Sequence, residues 1–491
     1  MSKIRESGIL LHVSSLPSPY GIGTFGSEAY SFIDFLNKSK QAFWQILPLG
    51  HTSFGDSPYQ TFSAFAGNPY FIDLDFLVDI GLLKKVEINI KVINNKSVDY
   101  KDQYEKRYLI LMKAYKRFDI TSNKYQNFKK DNAYWLYDYA FFMAIKEHFK
   151  GVSFQEWPDD IKKREIKAMD RYQKMLFDRI EFYSFLQYNF YEQWYSLKEY
   201  ANKNNIKIIG DMPIYVALDS SDVWARPYLF DLNEDLAPNY VAGVPPDKFS
   251  EDGQLWGNPL YNWDHIVSDD YNWWIERLKN ANRLFDLVRI DHFIGFENYF
   301  CIKFNEKTAR NGFWKKGPGI DFFKTIEYKL GKLNIIAEDL GNVTDEVRNL
   351  LKETNYPGMK LLQFAFDAKS DSDYLPHHHP YNSIVYTGTH DNETTRSWFD
   401  SLSDTDLDFC LKYINANNKR DVDSLVKCAL TSVAKIAIIP LQDYLGLDNS
   451  ARMNTPATLG NNWKWRALKE DFDENLLNKI KNLTILTGRS K

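Results

Sequence analysis

The chain has 491 residues, of which 44% are hydrophobic and 26% charged, with 61 Lys and Arg set against 65 Asp and Glu. A formal net charge of −4 excludes the broad basic field on which nucleic-acid binding depends. The length accommodates several small domains or one barrel carrying insertions.

Short runs rich in Ile, Leu and Val recur along the chain and stop abruptly at polar or turn residues. In order they are GILLHV from Gly8, FWQILPL from Phe43, IKIIGD from Ile206 and LVRID from Leu287. NIIAED from Asn334, MKLLQFAF from Met359, SIVYTGTHD from Ser383 and KIAIIPLQD from Lys435 follow. Continuous apolar character marks strands buried on both faces. Most intervening stretches are long enough for a helix. Trp274, Leu278, Ala281 and Phe285 step by four, three and four, which predicts one buried helical face before the fourth run.

Strand and helix alternating eight times predicts an α/β fold, a closed parallel (β/α)₈ TIM barrel. An open doubly wound sheet is the alternative, but no Gly-rich phosphate fingerprint follows the first run; GIGTFG at Gly21–Gly26 reads as turn chemistry after a Pro- and Ser-rich loop. Two connections exceed a simple crossover. Residues 70–205, between strands 2 and 3, predict a mostly helical insertion, helical above all over Ile161–Asn202. Residues 241–263, between strands 3 and 4, hold paired prolines, glycines and tryptophans and read as a structured loop on the face where the strands end. The whole of 1–491 is thus read as a single barrel unit.

Cys301, Cys410 and Cys428 form neither a disulfide set nor a metal-ligand spacing, which predicts reduced thiols in a cytoplasmic protein. The N-terminal apolar run is too short for a signal-peptide core, and no stretch approaches the length of a membrane span. Lys84–Lys85 and Lys162–Arg164 read as solvated faces. His377–His379 suggest a metal site at first sight, but three consecutive side chains do not converge easily and a plain loop is the expectation. Aromatics make up 16% of the chain, as a core requires and as the apolar faces of sugars also favour.

Barrel chemistry sits where the strands end. Four runs deliver acids there: Asp211, Asp291, Glu338 and Asp391. Any one of them alone reads as a helix cap or a solvated loop residue; four together are harder to assign that way. Arg289 lies two residues before Asp291, on the same side of a strand, where a guanidinium favours an ionised carboxylate. A structural ion pair fits the same spacing, so spacing leaves both readings open. Glu338 and Asp339 are adjacent, so a regular strand turns only one of them inward. One ionised carboxylate and one protonated by burial is the arrangement retaining glycoside chemistry uses.

RIDHF (289–293), AEDLG (337–341) and GTHDNETT (388–395) resemble the catalytic blocks of the 4-α-glucanotransferases, or amylomaltases, glycoside hydrolase family 77 of the α-amylase clan. GDMPIYVALDSSDVW (210–224), GDSPYQTFSAFAGNPY (55–70), VPPDKFSEDGQLWGNPLY (244–261) and ARMNTPATLGNNWKWR (451–466) are similar to further blocks, so the resemblance runs from Gly8 to Arg466. It implies transfer of α-1,4-glucan segments to the 4-hydroxyl of another glucan or glucose, through a covalent glucosyl-enzyme and without metal or organic cofactor. Asp291 would be the nucleophile, Glu338 the general acid/base and Asp391 the third carboxylate. Arg289 would orient Asp291, while His390 and Asp211 would bind the glucose at the cleavage point. Ser57, Tyr59, Trp256, His292 and Asn454 would line the glucan groove, with malto-oligosaccharides, maltodextrin and glucose as partners. The sequence departs at Phe54, where the family often has Tyr. The alternatives are a glucan hydrolase using the same residues and a catalytically silent glucan-binding protein.

Overall fold

The structure is a computed structural model and describes residues 4–490 apart from 54, 247–249, 342 and 420. Phe54 and part of the 241–263 segment therefore lie outside the described residues. Eight parallel strands form the frame: β1 (Glu6–Leu10), β2 (Phe43–Gln45), β3 (Lys207–Pro213), β4 (Leu287–Asp291), β5 (Ile335–Ala337), β6 (Gly358–Leu361), β7 (Ser383–Tyr386) and β8 (Ile436–Pro440). Each falls within or beside one of the eight apolar runs. Their spatial order is β6-β7-β8-β1-β2-β3-β4-β5. The Ala337 N–H donates to the Pro357 carbonyl at 3.0 Å, joining β5 to the approach of β6 and closing the ring. Every residue of β1, β7 and β8 is buried, as strands covered by helices outside and side chains inside must be.

The insertion between β2 and β3 is helical, with helices at Tyr100–Tyr115, Asn123–Asp131, Leu136–His148 and Ile166–Met175. It ends in the 27-residue helix Phe177–Lys203, about 40 Å long. Two glutamines of that helix act as backbone clamps. Gln187 Nε2 donates to the Gly67 carbonyl at 2.9 Å while its Oε1 accepts from Gly67 N–H at 2.7 Å. Gln193 does the same for Asp73, at 3.2 and 2.6 Å. Two points at the C-terminal end of the loop that follows β2, the loop that carries Ser57 and Tyr59, are thereby tied to this helix.

The 241–263 segment is more regular than its composition suggests. It supplies two strands, Tyr240–Val244 and Gln254–Pro259, of a four-stranded antiparallel sheet. The other two, Asn298–Lys303 and Gly312–Lys316, come from the connection after β4, a third insertion that the apolar pattern does not announce. Gly257, at φ 76°, shapes the strand beside Trp256. Among the described residues, no helix is long and apolar enough to cross a membrane.

The helix before β4 spans Asn272–Leu284 and buries Trp274, Leu278 and Ala281. Phe285 lies one residue past its end in extended conformation, because the chain is already turning into β4 through the Asp286 N–H bond to Ile208. Its ring is nevertheless buried, over Gly210 of β3. A Cβ at Gly210 meets that ring at 2.2 Å. Gly210→Ala is therefore expected to cost about 1–3 kcal/mol through overpacking. Thermal melting checks this: Gly210→Ala lowers the midpoint, and adding Phe285→Leu recovers part of the loss.

Candidate active site

The parallel register sets Asp211 of β3 beside Arg289 of β4. Arg289 and Asp291, two apart, face the barrel interior together. Arg289 Nη1 donates to both oxygens of Asp211 at 2.8 Å and to Asp291 Oδ1 at 2.9 Å. Burial disfavours the guanidinium charge, but Asp211 and Asp291 outweigh it and hold Arg289 well above its ordinary pKa. Asp211, 3% exposed, is raised by burial against the pull of Arg289. The Tyr59 hydroxyl also donates to Asp211, at 2.8 Å. Asp211 thus lies beneath the groove, its oxygens occupied by Arg289 and Tyr59.

β4 ends at Asp291, and His292 takes φ 52°, a left-handed turn that costs a non-glycine residue roughly 1 kcal/mol. That turn aims the His292 N–H at Glu338 Oε2 at 2.6 Å, and the Leu340 N–H donates to Oε1 at 2.9 Å. β5 stops at Ala337, so Glu338 is oriented by these amides rather than by strand alternation. Asp339 parts from it and accepts from the Met359 N–H of β6 at 2.7 Å. Burial pushes the Glu338 carboxyl up to about 8; Arg289 and the two amides oppose that shift, and the charge of Asp291 adds to it.

The loop after β7 carries His390 and Asp391. Asp391 Oδ2 lies 3.2 Å from His390 Nε2, and Asn454 Nδ2 donates to Oδ1 at 2.6 Å. Arg452 ties the two segments together, donating to the Asp391 carbonyl and to the Asn454 carbonyl, each at 2.7 Å. Burial raises Asp391, but His390 and Asn454 outweigh it and set the carboxyl at about 2. In return Asp391 overcomes the burial of His390 and raises its imidazole above the ordinary value.

Aromatic rings form the rest of the groove. Tyr59 and His390 stack with centroids 5.1 Å apart, and Trp463 abuts both. Trp256 meets the His292 ring edge-on at 4.8 Å, and Tyr215 stands beside both. Burial lowers His292 to about 4, so its ring is neutral, and its Nε2 is buried with no partner among the described residues. Ser57 Oγ accepts from the Tyr59 N–H at 3.2 Å and so shapes the turn that presents Tyr59; it touches none of the carboxylates among the described contacts. Tyr215, Arg452 and Trp463 were not singled out from the sequence, although each lies inside a quoted block; only their contacts reveal them. Among the described residues, the side chains close enough to share a metal ion are Asp371, His377 and His378, outside this groove.

A family model described as 4-alpha-glucanotransferase, glycoside hydrolase family 77, matches residues 11–470. The 4-alpha-glucanotransferase of Clostridium butyricum is 47% identical over 485 residues, 98% of this chain and 100% of the relative. That of Thermus thermophilus is 44% identical, covering 94% of this chain and 95% of the relative. The amylomaltase of Streptococcus agalactiae, solved in complex with acarbose, superposes with a TM-score of 0.97 at 44% identity, over 99% of this chain and 100% of that one.

Folded Glu338 titrates at about 8, whereas an unfolded glutamate titrates near 4.3. The folded state holds the extra proton, so this stabilisation is complete below the unfolded value and is lost as pH rises through 8. Glu338→Gln removes the titration. Its melting temperature relative to the parent is expected to be higher at pH 9 than at pH 5, whatever constant cost the amide brings. An offset equal at both pH values would refute the buried proton.

Proposed function

Since the chain belongs to the 4-alpha-glucanotransferase family, glycoside hydrolase family 77, and transfers α-1,4-glucan segments from a donor to an acceptor glucan, we propose that Asp291, Glu338 and Asp391 divide the chemistry among them. One observation carries this reading. The carboxylates ending the neighbouring strands β4 and β5 have unlike surroundings: Asp291 accepts from a guanidinium, while Glu338 is buried against two amides and keeps its proton.

Asp291 attacks the anomeric carbon as Glu338 protonates the departing oxygen, which breaks the α-1,4 bond and leaves a glucosyl ester on Asp291. Glu338, now a carboxylate, takes the proton of the acceptor's 4-hydroxyl. That oxygen displaces Asp291 and restores an α-1,4 linkage with both inversions cancelled. Glucose serves as the shortest acceptor and malto-oligosaccharides or maltodextrin as donors. Asp391, fixed by His390 and Asn454, places a permanent negative charge near the sugar, where positive charge develops in the transition state. Tyr59 and His390 contact the glucose at the cleavage point, and Asp211 acts on it through Tyr59 and Arg289.

The unpartnered His292 Nε2 is suited to a sugar hydroxyl, with Trp256 offering a ring face on the acceptor side. Ser57 sets the backbone of that wall. The whole chain acts as one catalytic unit in the cytoplasm, the 70–205 insertion buttressing the groove and the 241–263 segment covering it. Exclusion of water by that cover is what favours transfer over hydrolysis.

With maltotriose, a ladder of shorter and longer oligosaccharides plus glucose is expected; shortened products alone would point to hydrolysis. Asp291→Asn is expected to lower kcat by about 10³-fold or more, since no ester forms. kcat/KM is expected to decline as pH passes about 8, where Glu338 loses the proton it must donate. A flat profile through pH 9 would remove Glu338 from the role of acid.

A further inference from the structure

The connection between β6 and β7 carries three successive histidines, and the structure divides them. His379 turns inward, with Nδ1 2.8 Å from Ser432 Oγ and Nε2 2.8 Å from the Tyr374 carbonyl. His377 and His378 lie on the short 3-10 turn Pro376–His378 and turn outward, with ring centroids 4.1 Å apart. Asp371 returns to the same point, its Oδ1 3.6 Å from His378 Nε2. One ligand atom from each of Asp371, His377 and His378 lies within 4.8 Å of the other two. Around a tetrahedral zinc ion, ligands at about 2.0–2.1 Å stand roughly 3.3–3.5 Å from one another, so small side-chain rotations complete the geometry.

A second observation separates this group from a chance meeting of surface side chains. His378 Nδ1 donates to the Ser372 carbonyl at 3.0 Å, which places its lone pair on Nε2, the atom facing Asp371. His377 Nδ1 is 2.8 Å from the hydroxyl of Tyr413, on the helix Asp404–Ile414. Each imidazole is thus anchored through one nitrogen and offers the other, the outer hydrogen bonding that orients metal-binding histidines.

We propose that Asp371, His377 and His378 bind one divalent transition-metal ion of the Zn²⁺ class, with water completing its shell, at a site outside the glucan groove. Two imidazoles among three donors favour zinc-like ions over Ca²⁺ or Mg²⁺, which take oxygen ligands. The ion would pin together two points of the β6–β7 connection, which the His377–Tyr413 hydrogen bond already ties to the neighbouring helix.

Isothermal titration of the full chain, free of any affinity tag and stripped with chelator, with ZnCl₂ tests the site. One ion per chain is expected, and His378→Ala or Asp371→Asn is expected to weaken binding about 10-fold or more. His377→Ala combined with His378→Ala abolishes it, whereas His148→Ala changes nothing. These variants should retain maltotriose transfer. Absence of binding by the parent at about 100 μM zinc, or equal binding by the double variant, overturns the proposal.

Discussion

A single buried guanidinium nitrogen organises the centre of this protein. Arg289 Nη1 holds Asp211 and Asp291 at once, and both sit on strands whose register is fixed by the barrel ladder. Two carboxylates brought this close inside a protein repel each other, and a buried one without a partner is strongly disfavoured. The cation makes the arrangement stable, and it also fixes where the Asp291 oxygen points. Tyr59, bonded to Asp211, extends the constraint to the loop after β2, which Gln187 and Gln193 hold from outside. The groove is therefore built outward from an ion pair in the barrel interior.

The contrast between Asp291 and Glu338 depends on one turn. β4 ends with His292 in a left-handed conformation, and the same peptide that terminates the strand donates to Glu338. Strain at one residue thus orients the acid of the neighbouring strand. Asp391 lies across the groove on its own support, an imidazole and an amide, so its charge does not depend on Arg289 alone. The carboxyls of Glu338 and Asp391 shift in opposite directions because each has a different set of neighbours.

The eight strands were readable because burial on both faces leaves short continuous apolar runs that stop at polar or turn residues. The antiparallel sheet over the groove was not. Its strands are short, Tyr240–Val244 and Gln254–Pro259 contain glycine or proline, and Asn298–Lys303, which pairs with the first of them, lies beyond the next barrel strand. Pairing at that distance leaves little local signal, and turn residues read as loop. Phe285 shows the same limit on a smaller scale: its periodicity extends the helix by one residue, while the backbone bond from Asp286 to Ile208 ends it.

The acids at the strand ends, the Arg289–Asp291 spacing and the family blocks are local features, and the sequence determined them by itself. It also determined that Glu338 and Asp339 could not both face inward. Tertiary structure decided which of them does, through amides from His292 and Leu340. It placed Asp211 beneath the groove, brought Asn454, Arg452 and Trp463 against His390 and Asp391, and split His377–His379 into two outward rings and one buried one. These outcomes depend on contacts between segments far apart in the chain, and pKa, orientation and solvent access follow from those neighbours rather than from the residue's own identity.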